Sequence, residues 1–259
     1  MESGDAFGPP VQARRSTTTL AILACLALIA ISGFTALGTW QVYRRTWKLD
    51  LIAKVERRVH APPAPPPGPA LWPKITAETD AYRRIRLHGV FQNQAETLVM
   101  AVTDAGSGFW VMTPLVTDQG FTVLVNRGFV PPENADPKTR AAGALSGETT
   151  VTGLLRISEP KGGFLRRNDP AADRWFSRDV PAIAAAHRLS TVAPYFVDAD
   201  AAPNPGGWPR GGLTVIAFPN SHLVYAITWY ALALLSAVAT TYVAREEWRM
   251  SKAGRGHQR

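Results

Sequence analysis

Charged side chains vanish from two stretches of the chain: residues 16–43 and residues 211–244 contain no Asp, Glu, Lys or Arg. Inside them, residues 20–40 read LAILACLALIAISGFTALGTW and residues 223–243 read LVYAITWYALALLSAVATTYV. Coiled into a helix, each run extends roughly 30 Å, the thickness of a bilayer's hydrocarbon core. A helix that is apolar on every face needs lipid or a large protein core around it, and this chain is too short to build such a core. Both runs are therefore predicted to span a membrane. A cleaved signal peptide is the alternative for the first. Its apolar run, however, exceeds the usual h-region of about 7–15 residues, and a basic cluster follows it instead of a small-residue cleavage site. Trp40 and Tyr43 beside the first run, and Tyr242 and Trp248 beside the second, fit aromatic interfacial belts.

Between the spans the periodicity changes twice. In RRTWKLDLIAKVERRV (44–59), Trp47, Leu51 and Val55 recur at helical spacing among charges, which predicts that the first helix continues into water. APPAPPPGPALWP (61–73) then stops any helix and predicts a stiff, extended linker. From Tyr82 the period drops to two: Ile85, Leu87 and Phe91 alternate with Arg84, Arg86 and His88, as in a strand with one wet face. Further strands are predicted at 97–103, 110–116, 122–130, 150–157, 195–198 and 213–218. One short helix is predicted at 180–187, with Asp179 as its cap and Pro181 in its first turn. The fold class that results is a membrane protein in which two transmembrane helices flank a mainly antiparallel β (α+β) outer domain. Its parts are a tail (1–19), a first span (20–40), a helical extension with a Pro-rich linker (41–81), the β-rich domain (82–218), a second span with its approach (219–243) and a basic tail (244–259).

Charge suggests an orientation. The formal net charge of +8 divides into zero over residues 1–19, +5 over 20–243 and +3 over 244–259. Arg245, Arg249, Lys252, Arg255 and Arg259 after the second span argue for a cytoplasmic tail. The first span is contradictory, with Arg14 and Arg15 before it and Arg44, Arg45 and Lys48 after it. The intervening segment of roughly 180 residues is long enough to translocate whatever its charge. Two spans place both tails on one side, so both termini are expected in the cytoplasm and the β domain outside. A charge of +5 spread over a whole domain is a weak nucleic-acid signal; lipid headgroups or an anionic cofactor fit it better. Cys25 is the only cysteine, which excludes an intramolecular disulfide framework and a two-thiolate metal site within one chain.

For an enzyme the inventory is poor. No G-x-S-x-G, H-E-x-x-H or phosphate-binding glycine loop occurs, and Asp169, Asp173 and Asp179 read as loop carboxylates and helix caps. Asn126-Arg127-Gly128 after an apolar run reads as a strand-ending turn with Arg pairing locally, or as an anion site. His222 carries more information, because it stands immediately before the second apolar run, behind Asn220 and Ser221 as possible helix caps. Ionisable groups at this depth are costly and tend to be functional, although an interfacial hydrogen bond at a helix end is an equally good reading. On a helix, Tyr225 and Ala226 lie one turn on from His222, Trp229 two and Ala233 three. A neutral imidazole above an aromatic, small-residue face suits the axial ligation of a haem iron, which accepts a single His. Packing against lipid or another helix is the simpler account of Trp229.

The order of several short motifs resembles the surfeit locus protein 1 family of cytochrome c oxidase assembly factors. Leu37-Gly38-Thr39-Trp40-Gln41 with Arg44, Lys48 and Leu51-Ile52 is similar to the family's exit from its first span. Residues 82–91, with Gly89, are similar to its first strand, and Val151, Gly153 and Arg156 to a later one. Pro114-Leu115 and Val125-Asn126-Arg127-Gly128-Phe129-Val130-Pro131 resemble its V-N-R-G-W-V-P signature, with Phe129 in place of the usual Trp. Asn220-Ser221-His222-Leu223, Tyr225-Ala226 and Thr228-Trp229 resemble its N-N-H-L…Y-A…T-W approach to the second span, with Ser221 in place of Asn.

The resemblance implies an assembly factor and not an enzyme. Bacterial members bind haem a and deliver it to oxidase subunit I, with the haem-linked histidine falling on His222 and its associated tryptophan on Trp229. The expectation is thus haem a as cofactor at the outer face of a bacterial inner membrane, with oxidase subunit I, haem a synthase and the bilayer as partners and nucleic acid as none. His222 is expected to ligate iron, Trp229 and Tyr225 to line the cofactor, and Arg44 and Arg45 to pair with its propionates. A membrane scaffold that holds oxidase intermediates without haem is the alternative.

Overall fold

The computed structural model describes residues 15–160, 162–163, 165–216 and 218–256. Most of the N-terminal tail, with Arg14, and the end of the basic tail, with Arg259, lie outside the described residues. The chain forms two units, one made of the residues up to Leu51 together with those from Phe218 onward, the other of Ile52–Ala217.

Helix α1 (Thr17–His60) begins in the first uncharged run and continues, as the 44–59 periodicity predicts, through the basic segment beyond it. The Pro-rich linker is extended but does not hang free. Ala64 bridges to Ile85 through Ala64 N–H to the Arg84 carbonyl (3.0 Å) and Arg86 N–H to the Ala64 carbonyl (2.9 Å). The Pro67 carbonyl accepts from both the Tyr195 hydroxyl and the Trp72 indole, each at 2.9 Å. Prolines lack N–H groups but keep their carbonyls, and this docking uses that remaining acceptor. Burial around Tyr195 pushes its phenol above the ordinary range.

After a 3-10 turn (Pro69–Lys74) and the single-turn helix α2 (Ala77–Asp80) come the strands β1 (Arg84–Phe91), β2 (Thr97–Thr103), β3 (Gly106–Thr117), β4 (Thr122–Val130) and β5 (Glu148–Ile157). Helix α3 (Val180–Ala186) and strand β6 (Val192–Ala199) complete the domain. The sheet order is β1-β5-β6-β4-β3-β2, and β1 also pairs with β3, so the sheet closes on itself. The long β3 makes this possible, because its first half pairs with β2 and its end, Leu115–Thr117, with β1. All pairings are antiparallel except β4 with β6.

Every residue of β4 is buried. Val123 and Val125 point into a core shared with Ile85, Leu87, Leu155 and Tyr195. Leu124 points the other way, to Trp175, Ile183 of α3 and Phe196. A strand covered on both faces reads as a continuous apolar run instead of an alternating one. Asp179 caps α3 as predicted, its carboxylate accepting from Ala182 N–H at 3.2 Å. The predicted strand at 213–218 does not form in its described part. The preceding Arg210 already pairs with Phe129, and Gly212 at φ +74° turns the chain away. Val215 is left exposed, so the apolar alternation finds no sheet face to bury against. The last helix, α4 (His222–Gly256), contains the second apolar run. Both α1 and α4 are long and apolar enough to cross a membrane.

The junction ahead of β1 is held by one carboxylate. Asp80 accepts from the Thr79 hydroxyl (2.5 Å), the Arg83 guanidinium (2.6 Å) and the Thr76 N–H (3.2 Å). Burial would raise its pKa, but these donors and the Arg83 charge outweigh that and hold it below the usual carboxylate value. A carboxyl more acidic in the folded state contributes its stability above the unfolded pKa of about 4 and loses it as pH falls further. Asp80→Asn is expected to destabilise the domain by about 2 kcal/mol at pH 7. The gap to wild type should shrink progressively below about pH 4, read from urea melts of the detergent-solubilised chain at a series of pH values.

Candidate cofactor site on the helix pair

On α1, Phe34, Gly38, Gln41, Arg45 and Lys48 recur every three or four residues and so share one face. On α4, His222, Ala226, Trp229 and Ala233 do the same. The two stripes meet in antiparallel order. The Phe34 and Trp229 rings stack with centroids 5.7 Å apart at 24°. Gly38 admits Tyr230 so closely that a Cβ there would lie 2.9 Å from the ring, and the Tyr230 hydroxyl meets Thr39 Oγ1 at 3.0 Å. Ala226 and Ala233 are buried in the seam. Small residues are what allow helices to approach this closely in lipid, where the hydrophobic effect gives no drive to associate.

His222 enters this seam at its end. Its Nδ1 lies 2.8 Å from Oε1 of Gln41, a buried side chain one helical turn beyond Gly38. An amide oxygen only accepts, so Nδ1 donates, and in the neutral ring Nε2 is then the nitrogen that presents a lone pair. No hydrogen bond reaches Nε2 from the described residues. A second acceptor nearby in sequence is also unmatched: Asn220 Oδ1 is buried without a hydrogen-bond partner. Neither Asn220 nor Ser221 therefore caps α4 with its side chain. The helix opens instead on the Ser221 carbonyl, which accepts from Tyr225 N–H at 3.3 Å.

The expected site residues separate accordingly. His222 and Trp229 lie in the seam, two turns apart, whereas Tyr225 is mostly exposed and outside it. Arg44 turns its guanidinium onto Trp47, 4.2 Å from the ring centroid. Arg45 is half-buried on the Gln41 face, and Lys48, a turn further, lies 5.8 Å from the Phe218 ring. Gln41, Phe34 and Lys48 are not among the expected site residues, although Gln41 and Lys48 belong to the motif that follows the first span. Their common spacing from the first span is the signal that marks them.

The β domain holds a second polar constellation. Asp198, buried on β6, accepts from Asn126 (2.7 Å), Arg156 (2.8 Å), Arg178 (3.1 Å) and Thr214 (3.0 Å). Glu159 holds Arg178 with both oxygens, at 2.6 and 3.0 Å. Asn126, Arg156, Arg178, Asp198 and Thr214 border a cavity of about 190 Å³ that Trp110 and Gly128 also line. Each guanidinium faces a carboxylate, so the cluster ties β4, β5, β6 and the loop before α3 together with little charge left for a ligand. Asn126 and Arg127 thus sit inside β4 and not in a turn after it. Asn126 also accepts from Gly128 N–H (3.1 Å), while Arg127 is buried, donates to the Gly143 carbonyl and lies 4.9 Å over Phe91. Burial lowers its pKa. Gly128, at φ +129°, is required where it stands, since a Cβ would fall 1.9 Å from the Arg210 carbonyl oxygen.

Two apolar helices flanking a closed β-rich sheet define a membrane protein with an α+β domain. A sequence model of the SURF1 family matches residues 28–234, and the chain belongs to that family. It is 38% identical over 235 residues to surfeit locus protein 1 of Homo sapiens, covering 84% of this chain and 74% of the human protein. It is 34% identical to a SURF1-like protein of Monosiga brevicollis, covering 85% of this chain and 87% of that protein. The match runs through both halves of the seam, from Phe34 to Trp229.

If the Asp198 cluster is a structural lock, Asp198→Asn leaves two guanidiniums facing one carboxylate. Removing one partner of a buried ion pair is expected to cost about 3–5 kcal/mol. The measurement is the urea midpoint of the purified chain; a shift equivalent to less than 1 kcal/mol would place the cluster among dispensable polar contacts.

Proposed function

We propose that this protein is an assembly factor for haem-copper cytochrome c oxidase, holding haem a at the outer face of the inner membrane and passing it to oxidase subunit I. It acts as a carrier and not an enzyme. Both termini lie in the cytoplasm, in keeping with the basic tail after α4, and the β domain between the spans lies on the outer side. The observation that carries the reading is the His222 imidazole, whose Nδ1–H is taken by Gln41 and whose Nε2 has no partner among the described residues. A proton-free imidazole nitrogen at a membrane interface is a ready axial donor to haem iron.

The surrounding chemistry fits such a cofactor. The Phe34–Trp229 stack supplies a braced aromatic surface two turns, or roughly 10 Å, along the helix from His222. Arg45 and Lys48 extend the same face of α1 beyond Gln41, where they can neutralise propionates; Arg44 can add to them by leaving Trp47. The orphaned Asn220 Oδ1 can accept from a hydroxyl or a protonated carboxyl of the ligand. A farnesyl tail would be solvated by lipid. Bound haem a supplies an iron centre whose protein bond must later be given up to subunit I. One histidine on an open helix end makes that release easier than an enclosed pocket would.

In cells making haem a, the wild-type protein is expected to carry a Soret band identified as haem a by pyridine haemochrome. His222→Ala should lose at least about 90% of it while remaining membrane-inserted, because a sole axial donor has no substitute. Unchanged haem content in that variant would remove the ligand assignment. The same seam also accounts for Trp229 and Tyr230 as plain helix packing, which favours the scaffold alternative. That alternative predicts equal capture of subunit I from cells lacking haem a synthesis, and indifference to His222→Ala.

A further inference from the structure

We infer that Gln41 is a positioning residue for the His222 ligand, and that its neutral amide oxygen sets both which imidazole nitrogen is offered to iron and how firmly that iron is held. This rests on the proposed haem site. The two side chains come from different helices, 181 positions apart, and meet at 2.8 Å at the end of the helix seam. Gln41 is buried, one turn from the Gly38–Tyr230 contact, so the helix pair restricts its amide. An imidazole has two nitrogens, and the one that binds metal is selected by the hydrogen bond made by the other. With Oε1 of Gln41 accepting from Nδ1, the other tautomer would set the Nδ1 lone pair against those of Oε1 and leave an N–H at Nε2 without an acceptor.

The kind of acceptor matters as much as its presence. A carboxylate in this place would draw the Nδ1 proton toward itself, raise the basicity of Nε2 and strengthen its bond to ferric iron. An amide oxygen fixes the ring with far less transfer of charge. Gln at position 41 therefore gives orientation together with a moderate bond, as a carrier that must surrender its cargo requires. Outer-shell partners of ligating histidines typically change metal affinity by about 10–100-fold when removed.

The experiment titrates haem a into the detergent-purified full chain and measures the apparent Kd and the haem midpoint potential for wild type, Gln41→Met and Gln41→Glu. Met keeps the length and suits an apolar seam, so the helix pair should assemble without the acceptor. Its expected Kd is about 10–100-fold weaker. Glu keeps the acceptor and adds charge, so it should bind at least as tightly as wild type with a lower midpoint potential. A packing role alone predicts no change in potential for either variant. Gln41→Met indistinguishable from wild type in Kd and potential, alongside a wild type that binds haem, would overturn this inference and leave the haem site standing. So would Gln41→Glu weakening binding as Met does, since that outcome requires Gln41 to donate. A wild type that develops no Soret band on titration overturns the proposed haem site and this inference together.

Discussion

An imidazole in an apolar helix seam is tolerated only if its N–H is matched, and the Gln41–His222 hydrogen bond supplies that match. The bond also fixes the register of the two spans. Once Gln41 opposes His222, the helical repeat brings Phe34 to Trp229, while Gly38, level with Ala226, receives the long Tyr230 side chain from the next turn, and the three contacts reinforce one another. A slip of one residue along either helix would set Gly38 against a different side chain and leave both polar groups unpaired. Dispersion between α1 and α4 can favour many alignments, but the polar pair favours one.

Inside the β domain the same principle operates with charges. Asp198 gathers Asn126 from β4, Arg156 from β5, Arg178 from the loop before α3 and Thr214 from the segment after β6. A carboxylate this deeply buried needs all of them, and satisfying it positions four separate pieces of chain. The Asn-Arg-Gly run thereby finds a physical account. Asn126 serves the cluster, Arg127 braces the Pro137–Gly143 turn through the Gly143 carbonyl, and Gly128 lets the Arg210 backbone close on β4. Each residue of the motif is thus accounted for by burial and by backbone or side-chain contacts within the domain.

Much of this was legible before the fold was known. Two charge-free runs gave the spans, period-two stretches gave β1 and β2, and Asp179 with Pro181 gave α3. The apolar run marks β4, whereas Asn126-Arg127-Gly128 within it has the composition of a turn, and only the buried partners of these polar groups keep them in the strand. The 213–216 segment misled in the opposite sense: its alternation is real but has no sheet to bury against. Closure of the sheet through β1 and β3 was not legible, since register between distant strands depends on contacts no local pattern encodes. For the same reason His222 is legible as a site residue, and Gln41 only as part of a motif and not as its partner. A lone ionisable residue beside a span announces itself, whereas a glutamine beside a tryptophan acquires meaning only when another helix supplies its partner.

What separates a cofactor seam from a packing seam is its set of leftover polar atoms. Phe34 on Trp229 and Gly38 under Tyr230 are contacts that any stable helix pair would welcome. A seam selected for packing alone has no use for a histidine that needs a glutamine to be tolerated, since leucine at both positions would hold the helices without polar cost. The leftovers here are of one kind: Nε2 of His222 and Oδ1 of Asn220 both offer lone pairs, and the described residues send them no donor. Two nearby cations, Arg45 and Lys48, neither of which meets a carboxylate among the described residues, lie further along the same face of α1. Lone pairs toward the seam and positive charge beyond it describe the complement of a molecule with an electrophilic centre and anionic arms. That pattern, more than any single residue, gives the haem reading its physical content.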